Sequence, residues 1–291
     1  MESRCEPGQM GQTPAELIGT LEAKARKHFV NTGGCRMAWR CFGAGKPLVL
    51  VHGGHGSWLH WVRNIDTLAQ GFEVWVPDLP GYGDSDVPSA PELSSIVDAT
   101  APAINELLGA ETIVRMAAFS FGGLVAANVS AVRGGVDRLV LLGAAGHGSA
   151  RRPRGELLAW RAAQAANDDQ AVHSAMRHNL AMHMLHDPTR IDNLAVEVHT
   201  SACMRTRFRS KEISRGAVLA AALNLQTADV LAAWGEHDVT ADPQRVIGAL
   251  FEGRDGRAGC VIQGAGHWVQ YERADETNRL MMEWLEKGET K

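Results

Sequence analysis

The stretch of sequence that decides the fold is Ala118-Phe119-Ser120-Phe121-Gly122-Gly123. An apolar, strand-like run covers residues 112–117 just before it, and a helical pattern follows over residues 122–132. A serine at such a junction needs small residues two positions away on each side, because the turn is strained. Its hydroxyl then projects above the sheet, beside the positive end of the helix. The pattern indicates a nucleophile elbow, and a serine that only caps the helix is the alternative.

Continuous apolar runs recur along the chain on both sides of this motif. They are Leu48–Val51, Phe72–Val76, Thr112–Ala117, Arg138–Leu142, Asp229–Trp234 and Ala258–Ile262. Such runs are typical of strands that are buried on both faces of a parallel sheet. Helical stretches such as Leu93–Leu108 separate most of them. The alternation predicts an α/β fold with a doubly wound, mostly parallel sheet.

One helical pattern and two short strand patterns precede these runs. Apolar residues at helical spacing predict an amphipathic helix over Pro14–Lys27. A strand near His28–Val30 and another over Arg36–Phe42 flank the turn sequence Thr32-Gly33-Gly34. The polar residues 1–12 are expected to be disordered.

One long stretch, residues 148–215, breaks the alternation of strands and helices. Its helix-forming segments are Gly155–Ala166, Ala171–Leu185 and Asp192–Met204. No strand pattern accompanies them. We therefore expect residues 148–215 to form a helical cap, inserted into a core that consists of residues 1–147 and 216–291.

A glycine-rich loop, His52-Gly53-Gly54, follows the predicted strand Leu48–Val51. Glycines at that place let backbone N–H groups approach a substrate carbonyl closely. The N–H groups of Gly54 and Phe121 are the expected donors of an oxyanion hole. A plain tight turn is the alternative interpretation of the loop.

Two further polar residues follow the last two predicted strands. Asp238 ends the sequence Gly235-Glu236-His237-Asp238, and His267 lies in a loop rich in glycine. Both lie beyond the carboxyl ends of strands, where open α/β sheets bind ligands. The chain order matches a triad in which His267 takes the proton of Ser120 and Asp238 orients the imidazole. Glu236 is the competing acid.

Residues beside this group are expected to contact the substrate. They are His52, Gly53, Trp58, Phe119 and Trp268. For the tryptophans, burial in the core is an equally good interpretation. His178, His183 and His186 lie in the cap stretch without further ligands or supporting residues, so we expect no metal there.

The composition argues against several other classes of protein. Charged residues make up 21% of the 291 residues, and the formal net charge is -4. This balance suggests neither nucleic acid nor a membrane surface as a partner, and no apolar run is long enough for a membrane span. Five cysteines without a C-x-x-C pair favour a reduced, cytoplasmic setting. A small-molecule substrate is the expected partner, and the sequence leaves a homo-oligomer open.

Together, these motifs resemble those of α/β-hydrolase fold enzymes, from about His28 to the C-terminus. Besides the serine turn, the resemblance rests on the His52-Gly53-Gly54 loop, the segment Asp78-Leu79-Pro80-Gly81-Tyr82-Gly83-Asp84-Ser85, the Gly235–Asp238 sequence and the histidine loop. It implies a serine-hydrolase core with a helical cap, and neither a metal nor an organic cofactor.

The run from Gly266 to Asn278 resembles the meta-cleavage product hydrolases within that superfamily. Those enzymes cut carbon–carbon bonds in vinylogous diketone acids derived from aromatic rings. A small polar residue commonly precedes their nucleophile, whereas this chain has Phe119. They also bind the substrate carboxylate with a cap arginine, where this chain holds Glu197 and His199. Arginines that could take its place follow at positions Arg205, Arg207 and Arg209.

We therefore expect a serine hydrolase that cleaves an ester, a thioester or a carbon–carbon bond of a small, largely apolar carbonyl compound. A lyase or a cofactor-free oxygenase on the same fold is a second hypothesis. A ligand-binding protein without catalysis is a third, because fold does not settle function.

Overall fold

A computed structural model describes residues 12–287 and shows one eight-stranded sheet. The strands are β1 Arg26–Thr32, β2 Cys35–Phe42, β3 Lys46–Val51, β4 Phe72–Pro77, β5 Val114–Phe119, β6 Val136–Leu142, β7 Asp229–Gly235 and β8 Arg257–Ile262. Their order across the sheet is β1-β2-β4-β3-β5-β6-β7-β8. The disorder predicted for residues 1–12 concerns residues outside the described range, apart from Gln12.

The sheet is antiparallel at one edge and parallel elsewhere. β2 pairs with β1 and with β4 in antiparallel register, whereas all pairings from β4 through β8 are parallel. The mostly parallel sheet predicted from the apolar runs is confirmed. Because the carboxyl ends of parallel strands share one edge, the loops after β3, β5, β7 and β8 meet there. These loops carry His52, Ser120, Asp238 and His267.

The sheet has a hydrophobic core on each face. Along β3, Val49 and Val51 pack into one core and Leu48 and Leu50 into the other. All residues of β5 are buried as well. Burial on both faces explains why these strands are continuous apolar runs rather than alternating ones.

Helices surround the sheet and separate β6 from β7. The α-helices are α1 Pro14–Ala23, α2 Ile65–Leu68, α3 Leu93–Leu108, α4 Phe121–Arg133, α5 Arg161–Ala165, α6 Asp169–Asn179, α7 Asn193–Met204, α8 Lys211–Arg215, α9 Leu219–Leu225, α10 Pro243–Leu250, α11 Val269–Glu272 and α12 Ala274–Leu285. Short 3₁₀ turns lie at Trp58–Trp61 and Pro188–Arg190, and a π-helical turn at Leu180–Met184. Residues 143–228, all of them described, contain no strand. Within the described range, the helices are all too short or too polar to cross a membrane.

Two predicted helices end several residues earlier than expected, and a third, described below, is mostly absent. Helix α1 ends at Ala23 rather than at Lys27, because the residues from Arg26 onward pair with β2. The segment predicted as one helix over Ala171–Leu185 is α-helical only up to Asn179 and then continues as the π-helical turn. Such π turns are rare and occur frequently at functional sites.

The segment 155–166, predicted as a helix, is helical only over Arg161–Ala165. Leu158 exchanges two hydrogen bonds with the side chain of Asn179: its N–H donates to Oδ1 at 2.7 Å, and its carbonyl accepts from Nδ2 at 3.0 Å. A side-chain amide therefore takes the backbone bonds that a helix would have used. The spacing of apolar residues predicted a helix here, but the contact with Asn179 prevents most of it from forming.

Two helical glycines provide a matched test of the packing beneath α4. A Cβ at Gly122 would lie 2.2 Å from the carbonyl oxygen of His52, whereas one at Gly19 in α1 would meet nothing within 4 Å. We expect Gly122→Ala to lower the free energy of unfolding by about 2 kcal/mol or more, because backbone atoms must move. Gly19→Ala should raise it by about 0.5–1 kcal/mol. Urea unfolding followed by circular dichroism measures the free energy of unfolding of both variants. The same change in Gly122→Ala as in Gly19→Ala would contradict the close packing at Gly122.

Candidate active site

Ser120 lies in a strained turn between β5 and α4. Its backbone has φ 53° and ψ -119°, a left-handed conformation that non-glycine residues rarely adopt. Its N–H donates to the carbonyl of Leu142 at 2.9 Å, and its own carbonyl accepts from the N–H groups of Gly123 and Ala145, each at 2.9 Å. The neighbouring strand, the helix and the loop after β6 therefore hold the turn in place.

The three side chains of the predicted triad lie in hydrogen-bonding order. The Nε2 atom of His267 is 2.9 Å from Ser120 Oγ, and its Nδ1 atom is 2.8 Å from Asp238 Oδ2. When Nδ1 carries the proton and donates it to the carboxylate, Nε2 can accept the proton of the serine hydroxyl. His267 is 3% exposed and Asp238 is fully buried, so bulk water competes little for the bond between them.

The Asp238 carboxylate is held in its charged form. Burial alone would raise its pKa, but the charge of His267 and hydrogen bonds from His267 and Thr240 outweigh burial and leave the pKa below its ordinary value. Thr240 donates to Oδ1 through its N–H and its hydroxyl, each at 2.7 Å. The competing acid, Glu236, is exposed and accepts from the N–H of Gly264 at 2.9 Å. The geometry therefore favours Asp238 over Glu236 as the acid that orients the imidazole of His267.

The glycine loop after β3 is fixed by two buried histidines. His52 donates through Nδ1 to the Gly53 carbonyl at 2.7 Å and accepts at Nε2 from the N–H of Leu79 at 2.9 Å. The Gly53 N–H donates to His60 Nδ1 at 3.2 Å. Because its N–H is occupied, Gly53 cannot offer that group to a substrate, and His52 acts through the shape of the loop.

The N–H groups of Gly54 and Phe121 have no hydrogen-bond partner among the described residues. Phe121 is the first residue of α4, and the first N–H groups of a helix lack an acceptor within it. A Cβ at Gly54 would lie 2.5 Å from Ser210 Oγ and 3.7 Å from Phe121 Cβ, so the loop passes close to the start of α4. The two groups predicted for an oxyanion hole are thus unpaired, near each other and on the cavity wall.

A cavity of about 650 Å³ opens beside Ser120, which is within the usual size range of small-molecule sites. Gly54, Phe119, Phe121 and His267 form its wall on the side of the sheet. Much of the opposite wall is apolar and comes from the segment between β6 and β7. These apolar residues are Leu157, Trp160, Met182, Met184 and Cys203.

Of the five residues predicted to contact the substrate, only Phe119 lines the cavity. The prediction is corrected for His52, Gly53, Trp58 and Trp268, which lie behind the wall. All four are buried, and His52 and Gly53 are occupied with the hydrogen bonds of the loop.

The two tryptophans support the site from behind. Trp268 donates through Nε1 to the carbonyl of His60 at 3.0 Å, and its N–H donates to the carbonyl of Met184 at 2.8 Å. The first bond connects the loop of His267 with the 3₁₀ turn Trp58–Trp61, and the second connects it with the π-helical turn. The ring of Trp58 lies 4.6 Å from the guanidinium carbon of Arg40, a cation–π contact in the core.

The arginines considered for a substrate carboxylate are engaged elsewhere or lie off the cavity. Arg205 forms an ion pair with Asp84, and Arg207 donates to two carbonyl groups of the Asp78–Ser85 segment. Arg209 is exposed and does not line the cavity. None of the three therefore faces the cavity as a cap arginine would: Arg205 and Arg207 are held by their partners, and Arg209 lies away from it.

Three other cations line the cavity: Arg151, Lys211 and Arg215. All three are exposed, so they lie at its rim. Nothing in their spacing in the sequence distinguished these three residues from ordinary solvent-exposed cations, so sequence reasoning did not predict that they line the cavity.

Residues 148–215, predicted to be a cap and called the cap segment below, are attached to the loop of Asp238 by two arginines near their start. Arg152 donates to three backbone carbonyls of residues 236–241. Arg154 donates to the carbonyl of His237 at 2.8 Å and to those of residues 181 and 185, at 2.9 and 2.7 Å. Because residues 181 and 185 belong to the π-helical turn or follow it, Arg154 connects that turn with the triad loop.

A buried carboxylate, Glu272, connects the cap segment with the loop of His267. Its Oε1 accepts from the N–H groups of His186 at 2.8 Å and Asp187 at 2.6 Å, and its Oε2 accepts from the N–H of Gly266 at 2.6 Å. Glu272 is only 1% exposed. Sequence reasoning missed this role, because nothing in the spacing of residues 266–278 sets Glu272 apart.

Four histidines besides His267 line the cavity: His55, His147, His183 and His199. The sequence marked His183 and His199 as cap residues, but it contained no signal that they face Ser120. Among residues 12–287, no three histidine, cysteine, aspartate or glutamate side chains are grouped so that they could hold a metal ion.

Comparison with known proteins identifies the family. The family model of the alpha/beta hydrolase fold matches residues 46–274, which is most of the chain. This protein belongs to the α/β-hydrolase fold family. It is an enzyme of that family, and its mostly parallel sheet is the one that the resemblance implied.

The chain is similar over most of its length to a 2-hydroxy-6-oxo-6-phenylhexa-2,4-dienoate hydrolase of Comamonas testosteroni. The two are 26% identical over 261 residues, which cover 84% of this chain and 88% of the relative. A soluble epoxide hydrolase of Corynebacterium sp. (strain C12) is 46% identical over 68 residues, which cover 23% of this chain and 24% of the relative. The carboxylesterase CesB (YbfK) from Bacillus subtilis shares the fold, with a TM-score of 0.74 at 18% identity over 95% of this chain and 96% of that one.

The three hydrogen bonds of Glu272 give a direct test of the connection between the cap segment and the triad loop. We expect Glu272→Gln to lower the free energy of unfolding by about 2 kcal/mol, because the amide turns an N–H donor against a backbone N–H and leaves it unpaired. Glu283→Gln, an exposed change on α12, should have almost no effect. Guanidinium unfolding curves of both variants measure the difference. A loss as small as that of Glu283→Gln would show that the Glu272 bonds contribute little.

Proposed function

We propose that this enzyme hydrolyses carboxylic esters with Ser120 as the nucleophile, His267 as the general base and Asp238 as the acid that orients it. The observation that carries the proposal is the pair of hydrogen bonds from Ser120 to His267, 2.9 Å, and from His267 to Asp238, 2.8 Å. They lie at a cavity on which two unpaired N–H groups also open. Nucleophile, base and oxyanion donors around one space are what acyl transfer requires.

The reaction begins when Ser120 Oγ attacks the ester carbonyl while His267 Nε2 takes its proton. The negative charge that develops on the carbonyl oxygen is stabilised by the N–H groups of Gly54 and Phe121 and by the N-terminus of α4. His267 then gives the proton to the departing alcohol, which leaves the acyl group on Ser120. Water, deprotonated by the same imidazole, attacks this acyl-enzyme and releases the acid.

Asp238 contributes by staying charged throughout the cycle. Its carboxylate fixes the proton of His267 on Nδ1 and stabilises the imidazolium that forms when Nε2 is protonated. Thr240, by donating to the other carboxylate oxygen, keeps Asp238 oriented toward the imidazole. The low pKa of Asp238 supports this role, since a protonated acid could not balance the imidazolium charge.

Hydrolysis of a carbon–carbon bond in a dienoate acid is the second candidate. It is supported by the dienoate hydrolase of Comamonas testosteroni, to which most of this chain is similar. Arg151 and Arg215 on the cavity rim could offer positive charge to a substrate carboxylate. Phe119 weighs against it, since it fills the position at which that family commonly has a small polar residue.

The hydrogen-bonded serine and histidine support catalysis over a non-catalytic binding protein. A hydroxyl that only binds a ligand needs no base within 2.9 Å.

We also propose that residues 148–215 act as a cap on a core of residues 1–147 and 216–291. This division is supported by the strand-free stretch between β6 and β7 that covers the cavity.

Replacement of the nucleophile tests the proposal directly. We expect Ser120→Ala to lower kcat on p-nitrophenyl esters by about 10⁴-fold or more, because the attacking oxygen is absent. Steady-state assays with acyl chains from acetyl to dodecanoyl, and with a 2-hydroxy-6-oxo-dienoate alongside, give the rates. Faster cleavage of the dienoate than of any ester would favour the second candidate. Turnover that survives in Ser120→Ala would overturn both.

The two neighbouring acids give a matched pair for the role of Asp238. Asp238→Asn should lower kcat by about 10⁴-fold, since the imidazole loses the partner that fixes its tautomer. Glu236→Gln changes an acid two residues away that faces Gly264, so kcat should stay within about twofold of the wild type. The same ester assay compares them, and a larger loss in Glu236→Gln would reverse the assignment.

A further inference from the structure

The cavity wall near His267 is rich in imidazole. We propose that His55, His183 and His199 form a polar subsite that binds an uncharged oxygen function of the substrate, a ketone or a hydroxyl group, away from the bond that is cleaved. The inference rests on the proposed function, because it describes a second contact made by the same substrate. It adds one polar contact to the largely apolar substrate expected from the sequence.

The three histidines come from separate segments that converge on one cavity. His55 lies in the loop after β3, His183 in the π-helical turn and His199 in α7. The ring centroid of His183 is 5.8 Å from that of His267, in an edge-to-face arrangement. A carbonyl bound at Ser120 therefore brings the adjoining part of the substrate close to His183.

These imidazoles lack the protein partners that a buried histidine elsewhere in the chain has. His52 uses both ring nitrogens in hydrogen bonds to the backbone. The side chains of His55 and His183 make no hydrogen bond to any described residue. His199 contacts the weakly polar thiol of Cys203, with Sγ 3.7 Å from Nε2. The ring nitrogens of His55 and His183 are therefore available to a ligand that enters the cavity, since both residues line it.

Partial burial favours the uncharged form of His183 and His199, and it lowers the pKa of His183 to about 3 and the pKa of His199 to about 4. His55 is more exposed, and desolvation on its cavity side together with the charge of Arg161 lowers its pKa as well. The positive charge that His267 or a neighbouring ring would carry adds to the effect. A neutral imidazole donates through one nitrogen and accepts through the other. Such rings match a ketone or a hydroxyl group, whereas a carboxylate would find no opposite charge among them.

The rest of the wall defines the remainder of the substrate. Phe119, Leu157, Trp160 and Met182 are apolar and lie on the same cavity as the histidines. A substrate that matches both parts has an apolar body and one uncharged oxygen function in addition to the ester. The chemical class is therefore a keto ester or a hydroxy ester.

Matched esters test the subsite. We use p-nitrophenyl 4-oxopentanoate, 5-oxohexanoate and 6-oxoheptanoate, each paired with the ester of the same chain length without the ketone. We expect at least one keto ester to exceed its partner in kcat/KM by about tenfold, the gain of one hydrogen bond to an otherwise unpaired group. In His183→Phe or His199→Phe this preference should fall to about one.

Two further variants separate recognition from folding. His183→Gln keeps a donor and an acceptor, so it should retain most of the preference. His173→Phe makes the same change at an exposed position of α6 and should leave the preference at about tenfold. No preference for any keto ester, or one that survives both cavity substitutions, overturns the proposal. A preference for the anionic glutarate monoester over all of them also overturns it, and assigns recognition to the cations of the rim.

Binding to the Ser120→Ala variant distinguishes a failure of the subsite from a failure of the proposed function. Calorimetry should show the preferred keto ester binding about tenfold more tightly than its partner, without any turnover. If the wild type hydrolyses no ester but this difference in affinity is present, the subsite stands and the esterase proposal fails. If esters are hydrolysed and the affinities are equal, the subsite is wrong.

Discussion

The left-handed backbone of Ser120 is the constraint on which the rest of the site depends. Such a conformation costs on the order of 1–3 kcal/mol in a residue with a side chain, so the surroundings must hold it. Three backbone hydrogen bonds do so. The helix that follows passes so close to the end of β3 that Gly122 has no room for a Cβ atom. The same close passage brings the free N–H groups of Gly54 and Phe121 together on the cavity wall. One strained turn therefore positions both the proposed nucleophile, Ser120, and the two donors of the proposed oxyanion hole.

The imidazole side of the site depends on the cap segment as much as on the sheet. Glu272 binds the N–H of Gly266, next to His267, and also two N–H groups at the end of the π-helical turn. Arg154 connects the same turn with the carbonyl beside Asp238. The segment that carries His183 is thus fixed to both loops that carry the histidine and the acid. His267, Asp238 and the cavity wall are thus held in one arrangement by the protein itself. The proposed reaction needs this, because a site that is already in place stabilises developing charge without reorganisation.

Features that depend on local pattern were predictable from the sequence, and features that depend on distant partners were not. Apolar runs identified the strands, and the rule that loops after parallel strands meet at one edge brought Ser120, Asp238 and His267 together in the correct order. The helix expected over residues 155–166 is mostly absent because the Asn179 side chain takes its backbone bonds. Arg205 turns away from the cavity because it pairs with Asp84, more than a hundred positions earlier in the chain. Trp268 lies behind the wall for a similar reason, its indole N–H being bound to the His60 carbonyl.

The central claim is that His267 activates Ser120 as a nucleophile, and covalent trapping tests it most directly. Wild-type protein, Ser120→Ala and His267→Ala would each be incubated with a fluorophosphonate, and the adduct located by peptide mass spectrometry. The account predicts a single adduct on Ser120 in the wild type, none in Ser120→Ala, and a rate at least about 10³-fold lower in His267→Ala. An unreactive wild type, an adduct that persists in Ser120→Ala, or an undiminished rate without His267 would contradict it.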